Sequence, residues 1–277
     1  MCSKRTQSTI RRMRPLLGTF VEIGIVNDQK ITDLAINNAF SVIQTIHNLC
    51  SFHEPQSELS RINKGNGTFT LVHRHTLRVL RLAKGIMLAS DGLFDCTVGG
   101  LMIEKGVLPN HGGFAISSGK ADDIEFYNSY VRFNNSVKIT LDGIAKGYAV
   151  DCAIATMKNQ GVNAGWINAG GDLRVYGDMV LPVQRRELDG SFTALGSLQN
   201  AALASSHVSI NYDDVFPGKI VSNKAMPSLG VWSVMSHFAW RADALTKVAS
   251  LSNHQDRDEL VAKLGGKMVY PQQPHMQ

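Results

Sequence analysis

The sequence predicts an α+β fold in which mixed sheets are flanked by helices. Several stretches carry apolar residues at helical spacing. The segments between them are short alternating runs, grouped in twos and threes and separated by glycine, asparagine and serine turns. Length agrees with this: 277 residues, 44% of them hydrophobic, suffice for one large domain or two intimate ones around a sizeable core.

Composition narrows the function classes. No apolar run approaches the roughly 18–20 residues of a membrane span. The start, Met1-Cys2-Ser3-Lys4-Arg5, is basic but leads into Arg11, Arg12 and Arg14 instead of an apolar segment, so neither a secretory signal nor a lipoprotein cysteine at Cys2 is expected, and the expected location is cytoplasmic. Cys2, Cys50, Cys96 and Cys152 are scattered without a C-x-x-C pair, which predicts reduced thiols and no zinc site. The net charge of +5 owes much to the first fourteen residues; it gives mild attraction for anions and lacks the clustered, aromatic-interleaved pattern of a nucleic-acid binder. Residues 1–16 read as a basic, solvated extension and 271–277 as a tail.

In order along the chain, residues 18–26 alternate, with Val21, Ile23 and Ile25 on one face, and predict a strand. Residues 31–50 align Leu34, Ala35, Ala39, Val42, Ile43 and Ile46 along a helix. The polar segment 51–63, with Pro55, Ser57 and Asn63, predicts a structured loop containing a short helical turn. A second helix spans 76–90 and ends at Asp91-Gly92; His73 and His75 before it read as surface histidines. Residues 92–101 are turn-rich, serving either close approach of a planar ligand or a plain surface turn, and 105–119 form a long loop suited to a flap. Strands are expected at 124–126, 131–133 and 137–141, the last two joined by a hairpin turn at Asn134-Asn135. A helix over 144–161 follows. Strands at 164–168 and 173–176 then flank the turn Ala169-Gly170-Gly171-Asp172, open to a ligand or simply a hairpin turn. Short strands at 180–184, 192–195, 201–205, 231–235 and 267–270 complete the pattern, with helices beginning near 238 and 256; Asp243 reads either as a cap-region acid or as a metal ligand.

The stretch Leu141-Asp142-Gly143-Ile144-Ala145-Lys146-Gly147 runs from strand through a glycine turn into a helix, where free N–H groups gather and phosphate docks. Lys146 lies in the first turn, where the helix dipole disfavours a cation, and a neighbouring phosphate would account for it.

Six motifs in order carry a resemblance across nearly the whole chain: L-G-T-F-V-E-I at 17–23, S-F-H-E-P-Q-S-E-L-S-R-I-N at 51–63, G-L-F-D-C-T-V-G-G-L at 92–101, L-D-G-I-A-K-G-Y-A-V-D at 141–151, N-A-G-G-D-L-R-V-Y-G at 168–177 and A-D-A-L at 242–245. Together they resemble the ApbE family of FAD:protein FMN transferases. The resemblance implies an ApbE-like, T-fold-related architecture over residues 17–270, a single domain of two intimate lobes. It also implies magnesium-dependent transfer of the FMN half of FAD to a Ser or Thr hydroxyl of an acceptor flavoprotein, with release of AMP. By family position, Asp95, Cys96, Thr97, Thr140, Lys146 and Ile220 would lie against FAD, with Gly170, Gly171 and Asp172 in the nucleotide-side wall. Gly143 through its carbonyl and Asp243 would hold Mg2+, with Thr246 the threonine nearest the family's remaining ligand position.

Two departures accompany the resemblance. Lys219 stands where the family has a histidine implicated as a base, and a lysine of ordinary pKa is a poor base at neutral pH. Lys247 replaces the family's threonine ligand, with Thr246 one residue early, about 100° away around a helix. A protonated lysine cannot ligate a metal but can stand in the cation's place, or simply reach solvent. Two functions follow: a transferase with a modified metal site, or a flavin- or nucleotide-binding relative that has lost the transfer step.

Overall fold

The computed structural model describes residues 9–26, 32–65, 67–209 and 220–271. In chain order its elements are β1 (Thr9–Leu16), β2 (Thr19–Val26), α1 (Thr32–Cys50), α2 (Glu58–Lys64), β3 (Thr70–Leu71), α3 (Arg74–Ala89), α4 (Gly99–Glu104), β4 (Ile124–Tyr127) and β5 (Tyr130–Phe133). They continue with α5 (Ala145–Asn159), β6 (Gly165–Ala169), β7 (Asp172–Tyr176), β8 (Leu181–Arg186), β9 (Phe192–Leu198), β10 (Ala202–Val208), β11 (Gly230–Ser236), α6 (Ala239–Leu251), α7 (Arg257–Lys263) and β12 (Gly266–Met268). A single 3-10 turn, Ala121–Asp123, precedes β4.

Alternation builds the main sheet. Val21, Ile23 and Ile25 turn inward along β2, and the sheet runs β1-β2-β6-β7-β10-β11-β12 with antiparallel neighbours throughout. Helix α1 packs on α5 and α5 on α6, and their apolar faces join the inner face of the sheet in one core. The hairpin β8–β9 covers part of the opposite face, where Trp166, Leu173, Val175 and Leu203 meet Val183 and Leu198. A smaller sheet, β3-β5-β4, lies beside α2 and α3. Among the described residues, no helix is long and apolar enough to cross a membrane.

Three expectations change. The lead read as a solvated extension folds from Thr9 onward as β1, paired along its whole length with β2. Its arginines stay exposed, since pairing needs only backbone groups and charged side chains suit an edge strand. Arg14 also lies over the Phe40 ring at 4.5 Å and donates to Asn37 Oδ1 at 2.7 Å.

Residues 137–141 are extended but join no ladder; they touch Val98 through one isolated parallel bridge at Lys138. Their backbone is claimed by side chains and loops: Asn63 donates Nδ2–H to Ile139 O at 2.9 Å and accepts Ile139 N–H at 2.8 Å, Thr140 N–H donates to Cys96 O, and Lys138 O accepts Gly99 N–H. Burial on every side (Ile139 and Leu141 are fully enclosed) makes such pairing obligatory. The hairpin turn lies one strand earlier, at Asn128-Ser129 between β4 and β5. Finally, Gly99-Gly100 opens helix α4 instead of continuing a turn. A Cβ at Gly99 would meet Lys138 O at 2.4 Å and one at Gly100 would meet Ile116 O at 1.9 Å, so these glycines admit passing backbone.

Candidate functional site

The amino end of α5 opens into a cavity of about 1310 Å3 that reaches from Phe94 and Asp95, past Thr140, Gly143 and Lys146, to Gly170, Gly171, Ser206 and the hairpin residue Pro182. That exceeds the roughly 300–1,000 Å3 of ordinary small-molecule pockets. No side chain caps α5, whose N-cap position is Ile144. The turn at 169–172 forms the far wall: Gly170 has φ 63°, and a Cβ there would meet Thr19 Oγ1 at 2.5 Å, so only glycine lets the turn lie against β2. Gly171 N–H donates to Asn168 Oδ1 at 3.0 Å.

Lys146 finds its explanation here. Its ammonium lies 3.7 Å from Asp172 Oδ2, and that carboxylate, with Asp243 and Asp142 beyond it, raises the lysine pKa and offsets the unfavourable dipole. Asp172 is itself buried at the start of β7, and Oδ2 accepts no hydrogen bond. Burial first, then the Asp243 charge, push its carboxyl up to about 7, with Lys146 and Lys247 opposing. Asp142, in the cavity wall, is also raised by burial, against the charges of His53 and Lys146.

Asp243 is not a cap. Helix α6 is capped from α5, where Asp151 accepts Ala239 N–H and Trp240 N–H at 3.0 Å each and is ion-paired with buried Arg174. Gly147 lets the helices meet, because a Cβ there would lie 2.4 Å from Ala239 O. This clasp places Asp243, almost wholly buried, beneath the cavity-lining Lys247. Its Oδ1 accepts from Lys247 Nζ, while Oδ2 faces Gly147 N–H at 3.4 Å.

Lys247 does not reach into solvent. Besides Asp243 Oδ1, its ammonium contacts Asp243 O and Ser206 Oγ, each at 3.2 Å, and its stem lies against Gly143, where a Cβ would meet Cε at 3.3 Å. Thr246 Oγ donates to Asp243 O at 2.7 Å, so Ser206 donates its own proton to Thr246 Oγ1, also at 2.7 Å.

The Mg2+ expected on Gly143, Asp243 and Thr246 does not fit this donor set. The carboxylate already holds an ammonium, and Thr246 is turned toward its own helix. Among the described residues, no group of three or more His, Cys, Asp and Glu is arranged to hold a metal ion.

On the remaining wall, Asp95 Oδ1 accepts Thr97 N–H at 2.7 Å and Thr97 Oγ1–H at 2.6 Å, and burial raises its carboxyl above the usual range. Thr97 is fully buried and outside the cavity wall; its Oγ1 also accepts Gly119 N–H, so it braces Asp95 and the 105–119 loop. Cys96, a wall residue, is a buried thiol whose pKa is raised by that burial, hence unreactive. Thr140 and Ile220 line the cavity; Lys219 lies outside the described residues. Val107 and Leu108 bring the 105–119 loop to the wall.

Ser206, Asp151 and Asn63 are the positions whose roles sequence reading missed or left open. Ser206 follows Ser205 in a strand otherwise apolar at its start, and that polar pair is the sequence signal for it. His73, at the N-cap of α3, and His75, in its first turn, are more engaged than expected: His73 Nδ1 accepts His75 N–H at 3.2 Å, and His75 Nδ1 lies 2.9 Å from Tyr148 Oη.

The antiparallel sheet backed by α1, α5 and α6 thus places a cavity of about 1310 Å3 at the amino end of α5. The ApbE family model matches residues 17–270, and the chain belongs to the ApbE family. The FAD:protein FMN transferase of Rhodobacter capsulatus is 26% identical over 215 residues, covering 69% of this chain; the chain spans 41% of that relative's length. Among solved structures, the apo flavinyl transferase ApbE of Pseudomonas stutzeri has a TM-score of 0.78 at 16% identity, covering 97% of this chain and 92% of that one. The ApbE protein of Thermotoga maritima has a TM-score of 0.77 at 22% identity, covering 95% and 94%. At these identities the structures establish the fold.

Proposed function

We propose that the chain transfers the FMN moiety of FAD to a Ser or Thr hydroxyl of an acceptor flavoprotein and releases AMP. The hydroxyl oxygen attacks the FMN phosphorus, the bridging P–O bond to AMP breaks, and the hydroxyl proton is lost to solvent or to a carboxylate of the wall. The observation that supports this is the cavity itself. Its volume of about 1310 Å3 has room for a dinucleotide, and the amino end of α5, Lys146 and Lys247 border it together, where a pyrophosphate gains most. Lys146 would hold phosphate oxygens, Gly170 and Gly171 would let the nucleotide approach backbone, and Asp142 and Asp95 line the wall as proton-accepting groups. Magnesium, implied by the family resemblance, takes no part in this reading because its donors are occupied.

One observation favours a second reading, binding of flavin nucleotide without transfer: the ammonium of Lys247 stands on the carboxylate that the transfer step would otherwise use for a metal. Incubation of the protein with FAD and an acceptor flavoprotein, followed by chromatography of the nucleotides, separates the two. Transfer yields AMP in step with FAD consumed. FAD recovered intact, although bound, supports the second reading.

A further inference from the structure

We infer that Lys247 is a built-in cation: flavin dinucleotide binds this site without any divalent metal, with the ε-ammonium in the position a metal ion would need. The inference rests on the reading of the cavity as a FAD site. Three independent features of the floor support it. First, both oxygens of Asp243 are in use, one by the ammonium and one facing Gly147 N–H. A divalent ion would have to displace the lysine from a nearly inaccessible carboxylate and then share the pocket with it, three positive charges within a few ångströms where screening by water is weak.

Second, the lysine is held where it stands. Its stem passes Gly143, which has no side chain to obstruct it, and Ser206 from β10 and the Asp243 carbonyl fix the ammonium from two further directions. The hydroxyl relay of Ser206 and Thr246 ends on that same carbonyl, which turns the Thr246 hydroxyl toward its own helix. Third, Lys247 still borders the cavity, with about a fifth of its side chain exposed, as do Lys146 and Gly143. The two 3.2 Å contacts are long for a charged donor, and an incoming phosphate oxygen replaces them while the bond to Asp243 Oδ1 stays. Lys146 on α5 and Lys247 on α6 then grip one pyrophosphate from two sides, as point charges.

The test is FAD affinity, followed by quenching of flavin fluorescence, for the whole protein in EDTA and in excess MgCl2. The expected result is the same Kd in both buffers within about twofold, no heat on titrating MgCl2 into the FAD complex, and a loss of at least about tenfold for Lys247→Ala in EDTA. Lys247→Thr frees Asp243 and adds a hydroxyl, and its affinity is expected to recover on adding Mg2+. Wild-type affinity that collapses in EDTA and returns with Mg2+ overturns the inference while leaving the FAD site standing. So does full affinity of Lys247→Ala in EDTA. Absence of FAD binding in either buffer removes the flavin reading and this inference together. The wild-type comparison requires no variant to fold, and thermal melts of both variants identify any that do not.

Discussion

Single residues decide how charge is arranged around the cavity. Lys146 looks misplaced at a helix start until Asp172 is brought beneath it from β7, a contact no local pattern announces because the partners are 26 positions apart, 172 minus 146. Replacing Lys146 with Met is expected to weaken FAD binding by roughly tenfold, about 1.4 kcal/mol, with a melting temperature close to wild type; unchanged affinity by equilibrium dialysis would count against a phosphate role. Asp172 has a raised carboxyl, so the sign of its pH effect is fixed. Its contribution is fully present below the unfolded value near 4 and is lost as pH rises through about 7. Lys146, Asp243 and Lys247 face it, and removing its charge leaves those three in place. Asp172→Asn is expected to flatten the stability profile between about pH 4 and 7 and to equal or exceed wild type at pH 8. Parallel urea-midpoint profiles for the two proteins would contradict the burial argument.

Elements explain why those residues stay put. The α5–α6 crossing is closed by Gly147 and clasped by Asp151, which caps α6 and pairs with Arg174 at once. Removing the carboxylate in Asp151→Ala leaves a buried guanidinium and two unpaired N–H groups and is expected to cost about 3 kcal/mol in urea unfolding. A loss under about 1 kcal/mol would mean the pair behaves like a surface one. Asn63→Ala removes both bonds that hold residue 139 and is expected to cost about 1–3 kcal/mol. Helix periodicity made α1, α3, α5 and α6 legible in sequence, and alternation did the same for β2. Segment 137–141 was not, because continuous burial looks the same in a strand as in a stretch satisfied by Asn63 and loop carbonyls. Likewise α4 starts on two glycines, whose local meaning is turn and whose tertiary meaning is close backbone approach.

At the scale of the whole molecule, the antiparallel sheet and its three helices bring the 92–101, 141–147, 169–172 and 243–247 segments to one cavity. Ordered motifs in the sequence point to these four stretches, and Asp95, Thr140, Lys146, Gly170 and Gly171 line that cavity together. The inward braces did not separate from the ligand-facing residues, since Thr97 and Asp95 are neighbours of similar polarity and only burial tells them apart. The departure at Lys247 was visible as a substitution, and its meaning came from Ser206, 41 positions away. The most direct test of the function is the intact mass of an acceptor flavoprotein after incubation with this protein and FAD. The expected result is a gain of one FMN less water, located on a Ser or Thr and formed more slowly by the Lys146→Met variant at limiting FAD. An acceptor of unchanged mass, recovered from a mixture in which the protein has bound FAD, would contradict it.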